Sequence, residues 1–443
     1  MTLEEFVAQN RRADVRALAL RMRQYPELDA AFVLQQIEAL QKAEHKLPEL
    51  AAIEGWLWPK RLSVEQCSSQ VTALYKKAVL EKWKIDNGQW TIGGKLIDLT
   101  GGLGVDTYYL SEGFEEVHYV ERDEDLCRLA EHNFALTGKS VQVHCCSAEE
   151  FLEETYRAFE PEETTIFIDP ARRSAHGGKV FRLADCEPNV VELLSILRTH
   201  ARRILLKLSP MLDITEAVRE LGEATEVHVV AVRNEVKEVL VLLQSERDSM
   251  DPEITCVNLE TEEERFVFRK SEEEHTPSPL RGTPPTLGGE LILVEPNSAI
   301  IKAGAYKVFA ERYGLRKLDV NSHLYFGEGV LRCIGESTET VRKRAALFGE
   351  SERCEVFGES NYSEYSEQPL FHLPGRVFRV HVAQKEELKN IKQANVICRN
   401  YPLSAEALKK KLKLKDGGEK YVIATKIGDK PTIFLGTRQF FHK

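Results

Sequence analysis

Long apolar runs are missing from this chain of 443 residues. None approaches the ~18 to 20 residues that span a bilayer, so no membrane partner is expected. The opening MTLEEFVAQNRR also lacks the basic-then-apolar order of a secretory leader. A cytoplasmic location is the expectation that follows. Paired cysteine spacings are missing too: the nine cysteines contain no C-x-x-C, and only Cys145 and Cys146 adjoin. That pattern fits reduced thiols better than a disulfide framework or a zinc site, so no metal is expected. Internal repeats and low-complexity tracts are absent. A net positive charge is lacking: 60 Lys and Arg against 70 Asp and Glu give −10, which argues against a protein that binds nucleic acid over its whole surface.

The scarcity is uneven. Residues 371 to 443 hold 16 Lys and Arg against 6 Asp and Glu, so the C-terminal stretch is +10 and the remainder −20. A local basic end of this kind suits a phosphate-binding face, although solvated lysine-rich helices are commoner. Its densest cluster is Lys409, Lys410 and Lys411 with Lys413 and Lys415.

What the chain does have is punctuation. Residues 1 to 88 show apolar positions at three- and four-residue spacing and read as a helical N-terminal region. Trp56 and Trp58 within it are expected in the core. Ser63 with Gln66 has the spacing of a capping box. Then LIDLTGGLGVDT, Leu96 to Thr107, gives a strand that stops at Asp98, a turn through Thr100, Gly101, Gly102 and Gly104, and the start of a helix. Glycines let a ligand approach the backbone at a helix N-terminus. Glu121, at the end of the next apolar run, lies twenty residues beyond Gly101, where a doubly wound sheet holds ribose hydroxyls. Further apolar runs follow at SVQVHCC, TTIFIDP and RRILLKLSP. The pair EVHVVAV and EVKEVLVLLQ has too few residues between its strands for a crossover helix, so these must run antiparallel. The fold class expected is α/β, a Rossmann-like sheet of seven strands, with the helical N-terminal region before it and small α+β modules after it.

The acid, Thr-Gly-Gly-x-Gly order resembles motif I of the class I S-adenosylmethionine-dependent methyltransferases, with Thr100 in place of the first glycine; a dinucleotide fingerprint would read G-x-G-x-x-G. Asp169-Pro170 after TTIFI is similar to that family's motif IV, with Ala171 and Arg172 where amino methyltransferases carry proline and an aromatic residue. The resemblance covers residues 89 to 245, and the whole chain resembles bacterial methyltransferases carrying a THUMP-like domain. It implies S-adenosylmethionine held by Asp98, Thr100, Gly101, Gly102, Gly104, Asp106, Thr107 and Glu121. Ser147 or the backbone of Ala148 would serve the adenine, and Gln66 and Ser68 would belong to a covering segment. An S-x-x-E pattern from Ser147 to Glu150 also caps a helix on its own account.

Asp169 and Pro170 are the catalytic candidates, since methyl transfer is an in-line displacement that needs positioning and an acceptor for the nucleophile's proton. Arg172, Arg173 and Lys179 suit phosphate, and Lys409, Lys410 and Lys411 are further substrate-binding candidates. The domains expected are 1–88 (helical), 89–245 (methyltransferase), 250–330 (small α+β, ferredoxin-like, with a linker) and 370–443 (basic, THUMP-like). The function implied is methylation of an exocyclic base amine in structured RNA, tRNA or rRNA. The alternatives are a cofactor-binding RNA-binding or regulatory protein without transfer activity, or methylation of a small molecule or protein.

Overall fold

In the computed structural model the described residues are 2–83, 85–86, 89–90, 94–154, 161–172, 182–244, 249–260, 264–276, 291–319, 321–326 and 373–439. Contacts divide the chain into two units, one of residues 1–228 and 237–252, the other of 229–236 and 253–443.

The first unit begins with helices, as the periodicity predicts. Three of the starts are marked chemically: Thr2 and Glu5 form a reciprocal capping box, and the carboxylates of Asp14 and Asp29 accept backbone N–H groups at the helix starts that follow them. The expected Ser63–Gln66 box is not formed. The helix there begins at Arg61, so Ser63 lies inside it, and Lys60 at the cap makes no side-chain bond. Two two-residue strands, Ile85–Asp86 and Gln89–Trp90, pair at the border of the helical region.

Trp56 and Trp58 are buried with Leu47 and Leu50 against Leu103, Val105 and Tyr109, so the N-terminal helices pack on the helix that follows the glycine turn. The extended stretch carrying the tryptophans has no strand partner among the described residues, and side-chain amides bond its backbone at Leu57 and Trp58. Gln36 bonds both the N–H and the C=O of Trp58 at 2.7 Å, and Asn133 does the same for Leu57 at 2.8 and 2.9 Å.

Seven strands of the large sheet match the expected runs: β1 Lys95–Asp98, β2 Glu116–Glu121, β3 Gln142–Cys145, β4 Thr164–Ile168, β5 Arg203–Leu208, β6 Glu226–Val232 and β7 Glu235–Gln244. They run in the order β6-β7-β5-β4-β1-β2-β3. β3, β2, β1, β4 and β5 are parallel, and β7 is antiparallel to β5. The β6–β7 connection is Arg233-Asn234, both with positive φ (51° and 65°), the two-residue turn whose twist matches a hairpin. β1 lies between β2 and β4, where the strand order reverses, and open α/β sheets bind ligands at the carboxyl edge of such a switch point.

In the second unit, β8 Glu253–Leu259 and β9 Glu264–Arg269 form an antiparallel hairpin. A separate seven-stranded sheet contains β10 Leu291–Pro296, β11 Arg316–Lys317, β12 Tyr325–Phe326, β13 Gly375–Val382, β14 Asn395–Cys398, β15 Lys420–Ile427 and β16 Lys430–Gln439. Its order is β11-β12-β10-β13-β16-β15-β14. The stretches expected as modules 250–330 and 370–443 thus share one sheet through the antiparallel β10–β13 pair. Glu295 on β10 is fully buried and paired with Arg376, and with Arg399 at 2.6 Å. Lys307 is held within the chain, its N–H on Glu273 and its ammonium on the carbonyl of Glu274. No helix among the described residues is long and apolar enough to cross a membrane.

Candidate functional site

β1 ends at Asp98, whose side chain is fully buried. Its Oδ1 accepts the Thr100 N–H at 3.0 Å, and its Oδ2 accepts the Thr107 hydroxyl at 2.6 Å. The carboxylate therefore ties the strand end to the first turn of the Val105–Leu110 helix. Burial pushes the Asp98 carboxyl up to about 7, against the two hydrogen bonds, which favour the anion.

The glycines between them have different reasons to be glycine. A Cβ at Gly101 would lie 2.2 Å from the ring of Tyr119, whose hydroxyl donates to the Gly102 carbonyl at 2.5 Å. Gly104 has φ +79° and would bring a Cβ to 3.0 Å from Phe134. Gly102 has φ +53°, but a Cβ there would meet nothing nearer than 3.8 Å. Its requirement is conformational, and the space beside it is open.

Glu121, at the tip of β2, is aimed by three backbone N–H groups. Oε2 accepts from Gly102 at 2.9 Å, and Oε1 accepts from Arg122 at 2.9 Å and Asp123 at 3.0 Å. After β3, Ser147 forms the expected cap: its hydroxyl accepts the Glu150 N–H at 3.1 Å, and Glu150 accepts the Ser147 N–H at 2.9 Å. Ala148 beside it is buried.

β4 delivers Asp169. Its N–H donates to the Thr100 hydroxyl at 2.7 Å, so the residue that departs from the motif I pattern joins the glycine turn to the Asp-Pro segment. The Asp169 carboxylate, about a third exposed, takes the Lys207 ammonium on Oδ2. Register explains the meeting: Ile168 faces Leu206 in the parallel β4–β5 pair, and the next residue of each strand is Asp169 and Lys207.

Behind this pair lies a buried charge network that the sequence reading did not find. Lys76, on the Gln70–Trp83 helix, is completely buried. Its ammonium lies 2.9 Å from both oxygens of Glu238 on β7, 3.2 Å from Asp106 Oδ1 and 3.2 Å from the Ser68 hydroxyl. Ser68 in turn donates to Asp106 Oδ2 at 2.6 Å. Burial would lower Lys207, but Asp169, then Asp106 and Glu238, raise it and keep it charged. Burial would raise Asp106, but Lys76 and Lys207 hold it low. Burial raises Glu238 in spite of both lysines. Two cations thus serve three carboxylates, with Asp98 nearby. The available signals were a lysine inside the apolar run RILLKL and a glutamate inside EVKEVLVLLQ.

Of the residues named from the sequence, Asp98, Thr100, Gly101, Gly102, Gly104, Thr107, Glu121 and Asp169 are joined by hydrogen bonds around the turn at the carboxyl ends of β1, β2 and β4. Asp106 and Ser68 turn into the buried network, and Gln66 is exposed at the end of its helix. Pro170 is buried, and Ala171–Arg172 pairs with Cys186–Glu187 as a short ribbon. Arg173 and Lys179 lie outside the described residues. In the second unit Lys410 and Lys411 are exposed, while Lys409 pairs with Asp416. Among the described residues no cluster of three His, Cys, Asp or Glu could hold a metal.

Residues 375–438 match the THUMP domain-like family, and residues 293–331 match a ferredoxin-like domain. Over 232 residues the chain is 28% identical to an uncharacterized S-adenosylmethionine-dependent methyltransferase of Mycobacterium tuberculosis, found in strains CDC 1551 and H37Rv. That match takes in 52% of this chain and 57% of the relative, so it spans little more than half the curated relative's length. The crystal structure of a candidate methyltransferase from Porphyromonas gingivalis W83 is 30% identical, with a TM-score of 0.74, and the likeness covers 99% of this chain and 97% of that one. With its glycine turn, its strand-tip acids and this end-to-end likeness, the chain belongs to the S-adenosylmethionine-dependent methyltransferases and carries a THUMP-like domain at its C-terminal end.

Proposed function

We propose that this protein transfers the methyl group of S-adenosylmethionine to structured RNA, a tRNA or an rRNA. One observation carries the reading: Thr100 of the glycine turn holds the backbone of Asp169, so the cofactor turn and the carboxylate at the tip of β4 form one rigid corner. The residues fit the cofactor. Space is open beside Gly102, the Glu121 carboxylate is aimed by three N–H groups, and the surplus of carboxylates suits a sulfonium cation. In this reading Glu121 accepts the ribose hydroxyls, and Gly101, Gly102 and Gly104 line the turn beside the amino acid part. Asp98, Thr100 and Thr107 hold that turn in shape, and Ser147 with Ala148 lies toward the adenine. When bound, S-adenosylmethionine supplies an electrophilic methyl carbon; Asp169 places the acceptor and takes its proton.

The RNA half rests on the THUMP domain-like match at 375–438 and on the exposed lysines of that segment. Phosphate contacts there would position a substrate without reading its sequence. Residues 89–245 would then be the transfer domain, 1–88 a helical support for it, and 250–330 and 370–443 the substrate-presenting part. An exocyclic base amine is the acceptor that the similarity of Asp169-Pro170 to motif IV suggests, and Lys207 beside Asp169 bears directly on that choice.

The test is transfer of labelled methyl from S-adenosylmethionine to RNA from a strain lacking the gene. Asp169→Asn should cut the rate by about 10²- to 10⁴-fold while leaving cofactor affinity within about tenfold. Cofactor binding without label in any RNA would favour a non-catalytic role, and label in protein or small molecules would remove RNA as the substrate.

A further inference from the structure

Resting on the reading that Asp169 marks the acceptor's place, we propose that the atom receiving the methyl group is a hydroxyl oxygen, in RNA the ribose 2′-hydroxyl, and that Lys207 is the cation that stabilises it. Lys207 and Asp169 stand side by side at the carboxyl ends of β5 and β4, in ion-pair contact. The two kinds of acceptor differ in the charge they develop. An attacking amine nitrogen becomes positive as it takes the methyl group, whereas a hydroxyl oxygen becomes negative as its proton leaves. A fixed ammonium beside the reacting atom opposes the first and favours the second, and in a site of reduced dielectric that difference is worth orders of magnitude in rate.

Lys207 is built to remain an ammonium. It is largely buried and faces Asp169, with Asp106 and Glu238 adding to the field that holds its proton. It cannot serve as the neutral base an amine would require. Lys76 stands in the same network, where its bonds to Glu238 and Asp106 fix the acids that hold Lys207 charged. Asp169 Oδ2 is the one hydrogen-bond partner of the Lys207 ammonium among the described residues, which leaves two of its three donors for a substrate oxygen. Among the described residues Asp169 Oδ1 accepts no hydrogen bond, which leaves it for a proton. The sequence Asp169-Pro170-Ala171-Arg172 brings no aromatic ring against which a base would lie flat, whereas a ribose needs none.

The step balances on this chain's groups. The hydroxyl proton passes to Asp169 Oδ1 while Lys207 hydrogen-bonds the oxygen. The oxygen–carbon bond forms as the carbon–sulfur bond breaks, and the sulfonium charge is discharged in a neutral thioether. Asp169 then returns its proton to water.

The experiment uses the full-length protein, methyl-labelled S-adenosylmethionine and RNA from a strain lacking the gene, followed by complete alkaline hydrolysis. A 2′-O-methyl group blocks cleavage at its phosphodiester, so the label is expected in alkali-stable dinucleotides. Label in methylated-base mononucleotides would overturn the oxygen assignment while leaving RNA methylation standing. Cofactor binding with no labelled RNA would overturn RNA methylation and this inference with it.

Lys207→Met supplies an opposed sign. An oxygen acceptor predicts at least a 100-fold fall in kcat, with S-adenosylhomocysteine affinity by calorimetry within threefold and at least tenfold recovery in Lys207→Arg. An amine acceptor predicts an equal or higher kcat, because Asp169 is released to act as base. Should the Met variant fail to fold, the position of the methyl group in wild-type product still decides.

Discussion

Lys76→Met should be among the most destabilising single substitutions in the first unit, and the reason can be worked from its partners. The side chain is fully buried, and its ammonium is shared by Glu238 at 2.9 Å, Asp106 at 3.2 Å and Ser68 at 3.2 Å. Methionine fills nearly the same volume, so little cavity is made; what is lost is the only cation in direct contact with Glu238 among the described residues. Removing one partner of a buried ion pair costs about 3 to 5 kcal/mol, a large part of the ~5 to 15 kcal/mol that holds a domain folded. At ~2 to 4 °C per kcal/mol for a unit of this size, the melting midpoint should fall by roughly 10 °C. Glu238→Gln added to Lys76→Met should restore part of the loss, because it removes the stranded charge, with a coupling of about 0.5 to 3 kcal/mol. All four tryptophans (56, 58, 83 and 90) belong to the first unit, so intrinsic fluorescence during urea or thermal unfolding follows that unit without the second. A Lys76→Met midpoint within ~1 kcal/mol of wild type, or strictly additive effects in the double variant, would refute the buried-network reasoning.

Other expectations are equally open to measurement. Glu121→Ala should weaken S-adenosylmethionine binding by about 1.5 to 3 kcal/mol, the range for a hydrogen bond to a charged group; unchanged affinity in calorimetry would take Glu121 out of the ribose site. Asp98 titrates at about 7 in the folded chain but near ~3.9 unfolded, so between those values the folded state holds a proton that the unfolded state has lost. Its contribution to stability is complete below pH ~4 and is lost as pH rises to about 7, at up to ~1.4 kcal/mol per pH unit. Asp98→Asn, neutral throughout, should show a flatter decline of the unfolding midpoint over this window, and parallel wild-type and variant curves would contradict the assignment. Replacing Lys409, Lys410, Lys411, Lys413 and Lys415 by glutamine should reduce the slope of log RNA affinity against log salt and raise KM for RNA while kcat holds. A salt slope equal to wild type in filter binding would exclude this cluster as an RNA contact.

The strands of the large sheet were legible because each is a short apolar run, with β1, β2, β4 and β5 closed by an acid or proline, and their type followed from connection length alone. Arg233-Asn234 leaves room only for a hairpin, and the longer connections leave room for crossovers. The glycine turn and Glu121 were legible because their requirements are local: positive φ at Gly102 and Gly104, and a strand tip at a fixed distance along the chain. Pairings far apart in sequence were not. Nothing in LILVEP names GRVFRV as its neighbour some eighty residues on, so two expected modules became one sheet. Lys76 and Lys77 are adjacent and chemically identical, yet one is wholly buried on Glu238 while the other reaches Glu112 at the surface. A step of about 100° around a helix decides which is which, and it can be read only once the strand that supplies Glu238 is in place.

The two departures from the family pattern look different once they are placed in space. Glycine at position 100 would remove the hydroxyl that accepts the Asp169 N–H, which has no other partner among the described residues. Threonine therefore rigidifies the corner that a ligand would use, at the expense of space beside the turn. Replacing the second proline and aromatic of motif IV by Ala171 and Arg172 removes a flat wall, but on the adjacent strand Lys207 brings a fixed positive charge to the same carboxylate. A degenerate site would be expected to lose its costly buried charges first, since unpaired ones are destabilising and apolar replacements are often more stable. Here Lys76, Asp106, Glu238, Lys207 and Asp169 are all present and mutually paired or held within one network. The fold buries Lys76, Asp106, Glu238 and most of Lys207 behind a partly exposed Asp169, an arrangement that suits chemistry on a charged or proton-losing group.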